Sequence, residues 1–163
     1  MGKKGFFITG TDTGVGKTFF ASILMKKFNF DYWKPIQTGK FTENDTLYIK
    51  ENIEIEKNRF HKPIYSFKKP LSPHLASSYE KISINMKKIK KPCSDRPLII
   101  EGVGGILVPL NKKNLLIDLI KKFKFPVIVV SKSVLGTINH TLMTLEILKK
   151  KKINIFGVIL NNV

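Results

Sequence analysis

The sequence predicts an α/β architecture: one doubly wound, mostly parallel sheet with helices on both faces. Three observations carry that reading. Five short runs are almost continuously apolar rather than alternating, the pattern of parallel strands covered on both sides. Helical spacings of apolar residues separate them. A glycine-rich turn with Gly10, Gly14 and Gly16, closed by Lys17 and Thr18, falls between the first run and the first helix. That is the context a phosphate-binding loop requires.

In chain order, the first strand is Gly5–Gly10 and the first helix Thr18–Phe28. Tyr32–Gln37 reads as one strand carrying Lys34, with Pro35 holding the lysine's backbone extended. The stretch from Glu51 to Lys69 is polar and without period, and Ser72 with Pro73 opens a short helix after it. Pro97–Gly104, Phe125–Ser131 and Asn154–Asn161 are the remaining strands, separated by the helices Leu115–Phe123 and Thr137–Lys150. In the last helix Ile138, Leu142, Leu145 and Leu148 share a stripe, and lysines gather at the C-terminal end, where the dipole favours them. No repeat or linker divides the sequence, so residues 1–163 are expected to form a single domain. In such sheets the ligand site lies beyond the carboxyl ends of the strands.

Composition narrows the function classes. With 163 residues, 42% of them hydrophobic, there is material for a real core. No run approaches the ~20 apolar residues of a membrane span, so no membrane partner is expected. Gly2 stands where a myristoylated glycine would, but Phe6 occupies the place of the required Ser or Thr. The single cysteine, Cys93, excludes an internal disulfide and suits a reducing, cytoplasmic setting. The formal net charge is +17, yet only Arg59 and Arg96 of the 29 basic residues are arginines. The lysines are scattered in pairs, without arginine forks or interleaved aromatics. They read as solvated faces, and no specific nucleic-acid partner is expected.

The residues with chemical potential all fall at the carboxyl edge of the sheet. Backbone N–H groups of the glycine-rich turn face phosphate oxygens at a helix start. Lys17 would reach the β- and γ-phosphates, and the Thr18 hydroxyl would sit on Mg²⁺. Five residues rather than the usual four separate Gly10 from Gly16. Lys34 is well compensated if a polyphosphate, carbamate or carboxylate stands before it; otherwise it snorkels from a strand end. Thr38 and Gly39 form a turn suited to a small polar substrate. Thr18, Asp45 and Glu101 offer the oxygen ligands Mg²⁺ takes, with phosphate and water completing the shell. Glu101 ends a very apolar strand, where an unpaired carboxylate is costly, so a metal or a structural lysine must balance it. The alternative reading of Asp45 is a helix-cap residue. Gly136, Thr137 and Asn139 start the last helix and either receive an anion or simply cap it. His61 reads as exposed, Tyr32 and Trp33 as core, and His74, His140 and Cys93 lack the spacing or partners for chemistry.

The stretches TGTDTGVGKT, KPIQTG, PLSPH, EGVGGILVPL and LGTINHTLMTLE, in that order, resemble the dethiobiotin synthetase family. The resemblance implies the P-loop NTPase fold, a homodimer with active sites at its interface, and use of ATP and Mg²⁺. It implies ring closure of 7,8-diaminononanoate with CO₂ or bicarbonate to dethiobiotin, through a carbamate and a carbamic-phosphoric anhydride. Lys17 and Lys34 would stabilise the carbamate and the transferring phosphoryl group. Thr13, Gly14, Val15, Gly16, Lys17, Thr18 and Glu101 would lie along the nucleotide, and Asn161 would read adenine. Thr18, Asp45 and Glu101 would hold Mg²⁺ and Thr38 the diamine end, while Gly136, Thr137 and Asn139 would receive the substrate carboxylate across the dimer. Gly14 departs from the acidic residue of some members. The family also continues beyond the position of Val163 with a further strand, helices and a loop, so the C-terminal portion is expected to be lacking. Two other readings compete: a partitioning-type P-loop ATPase, which would carry a lysine at the position of Asp12, and an inactive truncated remnant.

Overall fold

Two apolar layers, one on each side of the sheet, explain why the strands are apolar without alternation. The computed structural model describes residues 5–40 and 44–162; Gly2 and its myristoylation pattern lie outside them. The strands are β1 (Gly5–Gly10), β2 (Asp31–Trp33), β3 (Ile36–Thr38), β4 (Phe60–His61), β5 (Tyr65–Phe67), β6 (Leu98–Gly105), β7 (Val127–Lys132) and β8 (Ile155–Asn161). The helices are α1 (Lys17–Lys27), α2 (Asp45–Asn52), α3 (Pro73–Tyr79), α4 (Leu116–Phe123) and α5 (Thr137–Lys150). Six strands form one sheet in the order β4-β2-β6-β1-β7-β8, every pairing parallel. Phe7, Trp33, Ile100 and Val129 face one core with residues of α3, α4 and α5. Their neighbours Ile8, Tyr32, Ile99 and Val130 face the other, with Ala21 and Met25 of α1 and Ile49 of α2. Because side chains alternate across a strand, both phases of the period must be apolar when both faces are covered.

The structure corrects the expected strand Tyr32–Gln37. β2 stops at Trp33, the chain bends at Pro35, and Ile36–Thr38 leaves to pair with β5 in a separate two-stranded sheet. Proline has no N–H with which to continue the ladder. Its carbonyl accepts instead from the backbone N–H groups of Ile64 and Tyr65, at 2.9 and 3.1 Å. Lys34 is therefore presented at a bend, not within a strand.

Three further expectations change. β8 alternates between half-buried and exposed residues, so Phe156 and Leu160 are open on one face of this edge strand. In α5, Leu148 is buried and Leu145 packs on the core, but Ile138 and Leu142 of the same stripe are exposed. His61 is half-buried rather than exposed, its Nε2 3.0 Å from Asp31 Oδ2. Asp31, at the amino end of β2, also accepts from the Ser94 hydroxyl at 2.5 Å, which ties the chain entering β6 to β2. Among the described residues no helix is long and apolar enough to cross a membrane.

Ile99 and Ile100 are fully buried on opposite faces of β6. Ile99→Ala and Ile100→Ala should each cost about 2–5 kcal/mol in urea unfolding.

Candidate active site

Strand register brings the charged residues together. Ile8 of β1 pairs with Glu101 of β6, while Trp33 of β2 pairs with Ile100. The residue after Trp33 thus emerges beside Glu101. Lys34 Nζ donates to Glu101 Oε1 at 3.1 Å and to Asp45 Oδ2 at 2.5 Å. Thr18 Oγ1 lies 2.5 Å from Asp45 Oδ1 and 3.0 Å from Glu101 Oε1. The Tyr32 hydroxyl donates to the other Glu101 oxygen at 2.9 Å. Only 1% of Glu101 and 6% of Lys34 is exposed. Asp45 reaches the cluster because Asn44, not Asp45, caps α2: the Asn44 side chain accepts from Leu47 N at 2.9 Å. The alternative reading of Asp45 as the cap is set aside, since Asn44 holds that position.

The electrostatics follow from that burial. Removal from water raises the Glu101 pKa above the ordinary carboxylate value, against the pull of Lys34. Burial works to lower the Lys34 pKa, but the Glu101 and Asp45 charges outweigh it and leave it raised. Burial likewise opposes ionisation of Asp45, yet Lys34 and the bonds to it hold that carboxyl low. Lys17 is held below the usual lysine value chiefly by burial. Its ammonium donates to the Asp12 carbonyl at 2.8 Å, folded over its own loop.

Two glycines shape the loop, and Gly16 is the one with no room for a side chain. Gly14 and Gly16 have φ of 66° and 94°, the left-handed region that L side chains rarely adopt. A Cβ on Gly16 would lie 2.0 Å from Asn161 Nδ2. That amide donates to the Val15 carbonyl at 3.0 Å, so the end of β8 is seated against the loop.

A cavity of about 510 Å³ opens over this cluster. Of the residues singled out in the sequence, Thr13, Gly14, Gly16, Lys17, Thr18, Lys34, Thr38, Asp45, Glu101 and Asn161 line it. Val15 is buried behind the loop. Gly136, Thr137 and Asn139 do not line it within one chain. The Thr137 hydroxyl is 2.6 Å from Ser131 Oγ, and Gly136 and Asn139 are exposed on the outer surface. The sequence reading missed Tyr32, treated as core alone, and Tyr48, which also lines the cavity. The signal for Tyr32 was its spacing: two residues before Lys34, it points to the same face of the chain.

Thr18, Asp45 and Glu101 form an all-oxygen set of the kind a hard divalent cation takes. Among the described residues no group of three or more His, Cys, Asp and Glu gathers. These three residues could hold a cation whose remaining ligands came from water or phosphate.

A family model described as an AAA domain matches residues 4–163. The chain is 44% identical over 158 residues to the ATP-dependent dethiobiotin synthetase of Paramagnetospirillum magneticum, covering 97% of this chain and 76% of that protein. It is 48% identical over 156 residues to the ATP-dependent dethiobiotin synthetase of Lawsonia intracellularis, covering 96% and 75%. It is 42% identical to the biotin biosynthesis bifunctional protein of Bordetella avium, along 97% of this chain and 34% of that one. The chain belongs to the dethiobiotin synthetase family. The dethiobiotin synthetase motifs TGTDTGVGKT, KPIQTG and EGVGG, far apart in sequence, meet at one cavity. The partitioning-type ATPase reading is not favoured.

Lys34→Ala would leave Glu101 buried beside Asp45 with no cation at ion-pair distance. A loss on the order of 3–5 kcal/mol is expected at pH 8. A carboxyl whose folded pKa is raised contributes stability below its unfolded pKa and loses it as pH rises through the folded one. The deficit of the variant should therefore shrink on acidification. Urea unfolding of both proteins at pH 5 and pH 8 checks this, and an equal deficit at the two values would contradict it.

Proposed function

We propose that this protein is an ATP-dependent cyclo-ligase that joins 7,8-diaminononanoate and CO₂ into the cyclic urea of dethiobiotin. The observation that supports it most is Lys34, buried between two carboxylates at the rim of a phosphate loop, in a chain so similar to dethiobiotin synthetases.

The chemistry runs in three balanced steps. One substrate amine adds to CO₂ and loses a proton, giving a carbamate. A carbamate oxygen then attacks the γ-phosphorus, and the bond to ADP breaks. The second amine attacks the carbamoyl carbon, phosphate leaves, and a proton is lost as the ring closes. The loop N–H groups around Gly14 and Gly16 would hold the phosphates, and Asn161 the adenine side. Lys17 would turn from the Asp12 carbonyl to the β- and γ-phosphates, and its lowered pKa rises again once that anion is in place. Thr18, Asp45 and Glu101 would hold Mg²⁺, which when bound neutralises phosphate charge. Lys34 would meet the carbamate and the γ-phosphate together, as a fixed cation in a site with little water. Thr13 and Thr38 would position the diamine end, so that attack becomes effectively unimolecular.

The reading includes a homodimer. Leu135, Ile138, Leu142 and Met143 leave an apolar face on and beside the start of α5 exposed, next to Gly136, Thr137 and Asn139. Pairing through that face would give those donors a partner's substrate carboxylate to bind. One exposed cysteine, with no disulfide among the described residues, accords with a cytoplasmic setting.

Dethiobiotin should form when the purified chain is given ATP, Mg²⁺, bicarbonate and 7,8-diaminononanoate, as read by mass spectrometry. Lys34→Ala should lower the rate by about 10²–10³-fold or more, and absence of product from the folded parent would sink the reading. Leu142→Asp should convert a dimer into a monomer in sedimentation velocity while the helical circular dichroism signal persists.

A further inference from the structure

Lys34 has a second side. Beyond the bend that carries it lies a separate cavity of about 310 Å³, which shares only Lys34 and Asn44 with the nucleotide cavity among the described lining residues. Its other polar walls include Gln37, Lys50, His61 and Lys62. No described Asp or Glu lines it. Lys50 and Lys62 are exposed and stand toward solvent, whereas Lys34 and Gln37 are buried and form the inner wall. The Lys50 ammonium lies 5.0 Å from the centre of the Phe60 ring, which holds it on the cavity wall.

That distribution sets the sign of the potential. Asp45 and Glu101 line the other cavity and partly neutralise Lys34; the Asp45 carboxyl also bonds Gln37 from behind the inner wall, and Asp31 pairs with His61. Lys50 and Lys62, in no ion pair among the described residues, leave the outer part of this cleft cationic, and a cleft lined by one sign of charge concentrates the opposite ion. The volume suits a small ion, not a nucleotide. The reaction proposed above also needs such traffic at Lys34: phosphate departs while nucleotide and product occupy the first cavity.

We propose that this second cavity is a binding and transit site for a small oxyanion, drawn in by Lys50 and Lys62 and exchanged with the reaction centre at Lys34. The candidate ion is inorganic phosphate on exit, since the one-carbon reagent of that reaction, CO₂, carries no charge. Its identity rests on the ligase reading; the cation-lined cavity does not.

The test compares the parent with Lys50→Gln/Lys62→Gln, variants outside the catalytic cluster. Calorimetric titration with inorganic phosphate is run with the non-hydrolysable analogue AMP-PNP and Mg²⁺ present, so that the phosphate loop is already filled. The parent should bind one anion, and the double variant should bind it roughly tenfold more weakly. In turnover, product inhibition by phosphate should weaken in the double variant while KM for ATP does not change. Lys62→Gln alone, with a smaller shift in the same direction, keeps the test decisive if the double variant does not fold. Equal affinities in parent and variants, or no anion bound by the parent, overturn the proposal. A parent that makes no dethiobiotin but binds phosphate through Lys50 and Lys62 would defeat the ligase reading and leave this site standing.

Discussion

A carboxylate buried at the end of a central strand is the constraint around which the site is organised. Glu101 is out of water, and an uncompensated charge there would cost several kcal/mol. Three groups from two segments answer it: the Tyr32 hydroxyl and Lys34, in and just after β2, and Thr18 at the start of α1. Asp45 then enters from α2 as the second counter-charge of Lys34, and it fixes where that helix must lie. A hydrophobic residue at position 101 would serve the core as well and require none of this. Retaining a buried acid makes sense when the compensation is meant to be exchangeable, with a cation and phosphate taking up partners that the protein groups hold in their absence.

Strand order supplies the precision. Placing β6 between β1 and β2 puts the ends of three parallel strands side by side, so that the phosphate loop, Lys34 and Glu101 share one edge. Parallel strands with crossovers bring their carboxyl ends to the same rim, which is why motifs distant in sequence meet there. Asn161 extends the same logic to the far edge, since the last residue of β8 bonds the loop that follows β1.

Most of this was legible from residue types. The glycine-rich turn announced itself, because glycine most readily takes the left-handed backbone found at Gly14 and Gly16. Continuous apolar runs revealed strands covered on both faces. What escaped were features set by tertiary neighbours. The split at Pro35 required knowing that β3 would find β5, and a proline in an apolar run is compatible with either outcome. Tyr32 looked like core because its ring is core; only the register with β6 shows that its hydroxyl meets Glu101. His61 looked exposed because its partner, Asp31, lies thirty positions away. The open face of β8 and the open stripe of α5 are as apolar as covered ones, so sequence alone cannot say which will be left bare.

The large positive charge takes on meaning beside this site, although its lysines make few ion pairs. Among the described residues Lys34 is the lysine that does so; the other bridges use His61 and Arg96. Unpaired surface lysines contribute little to stability, but together they produce a long-range field that falls off over about 8 Å at physiological salt. The nucleotide and the departing phosphate of the proposed reaction are anions, whereas the diamine carries two basic amines beside its carboxylate and CO₂ is uncharged. A field of one sign raises the encounter rate of every anion alike and discriminates among none. Discrimination must then come from short range, from the buried Lys34 and the loop N–H groups, where a misplaced charge finds no compensation. Attraction is thus spread over a surface of lysines, and choice is confined to a few atoms.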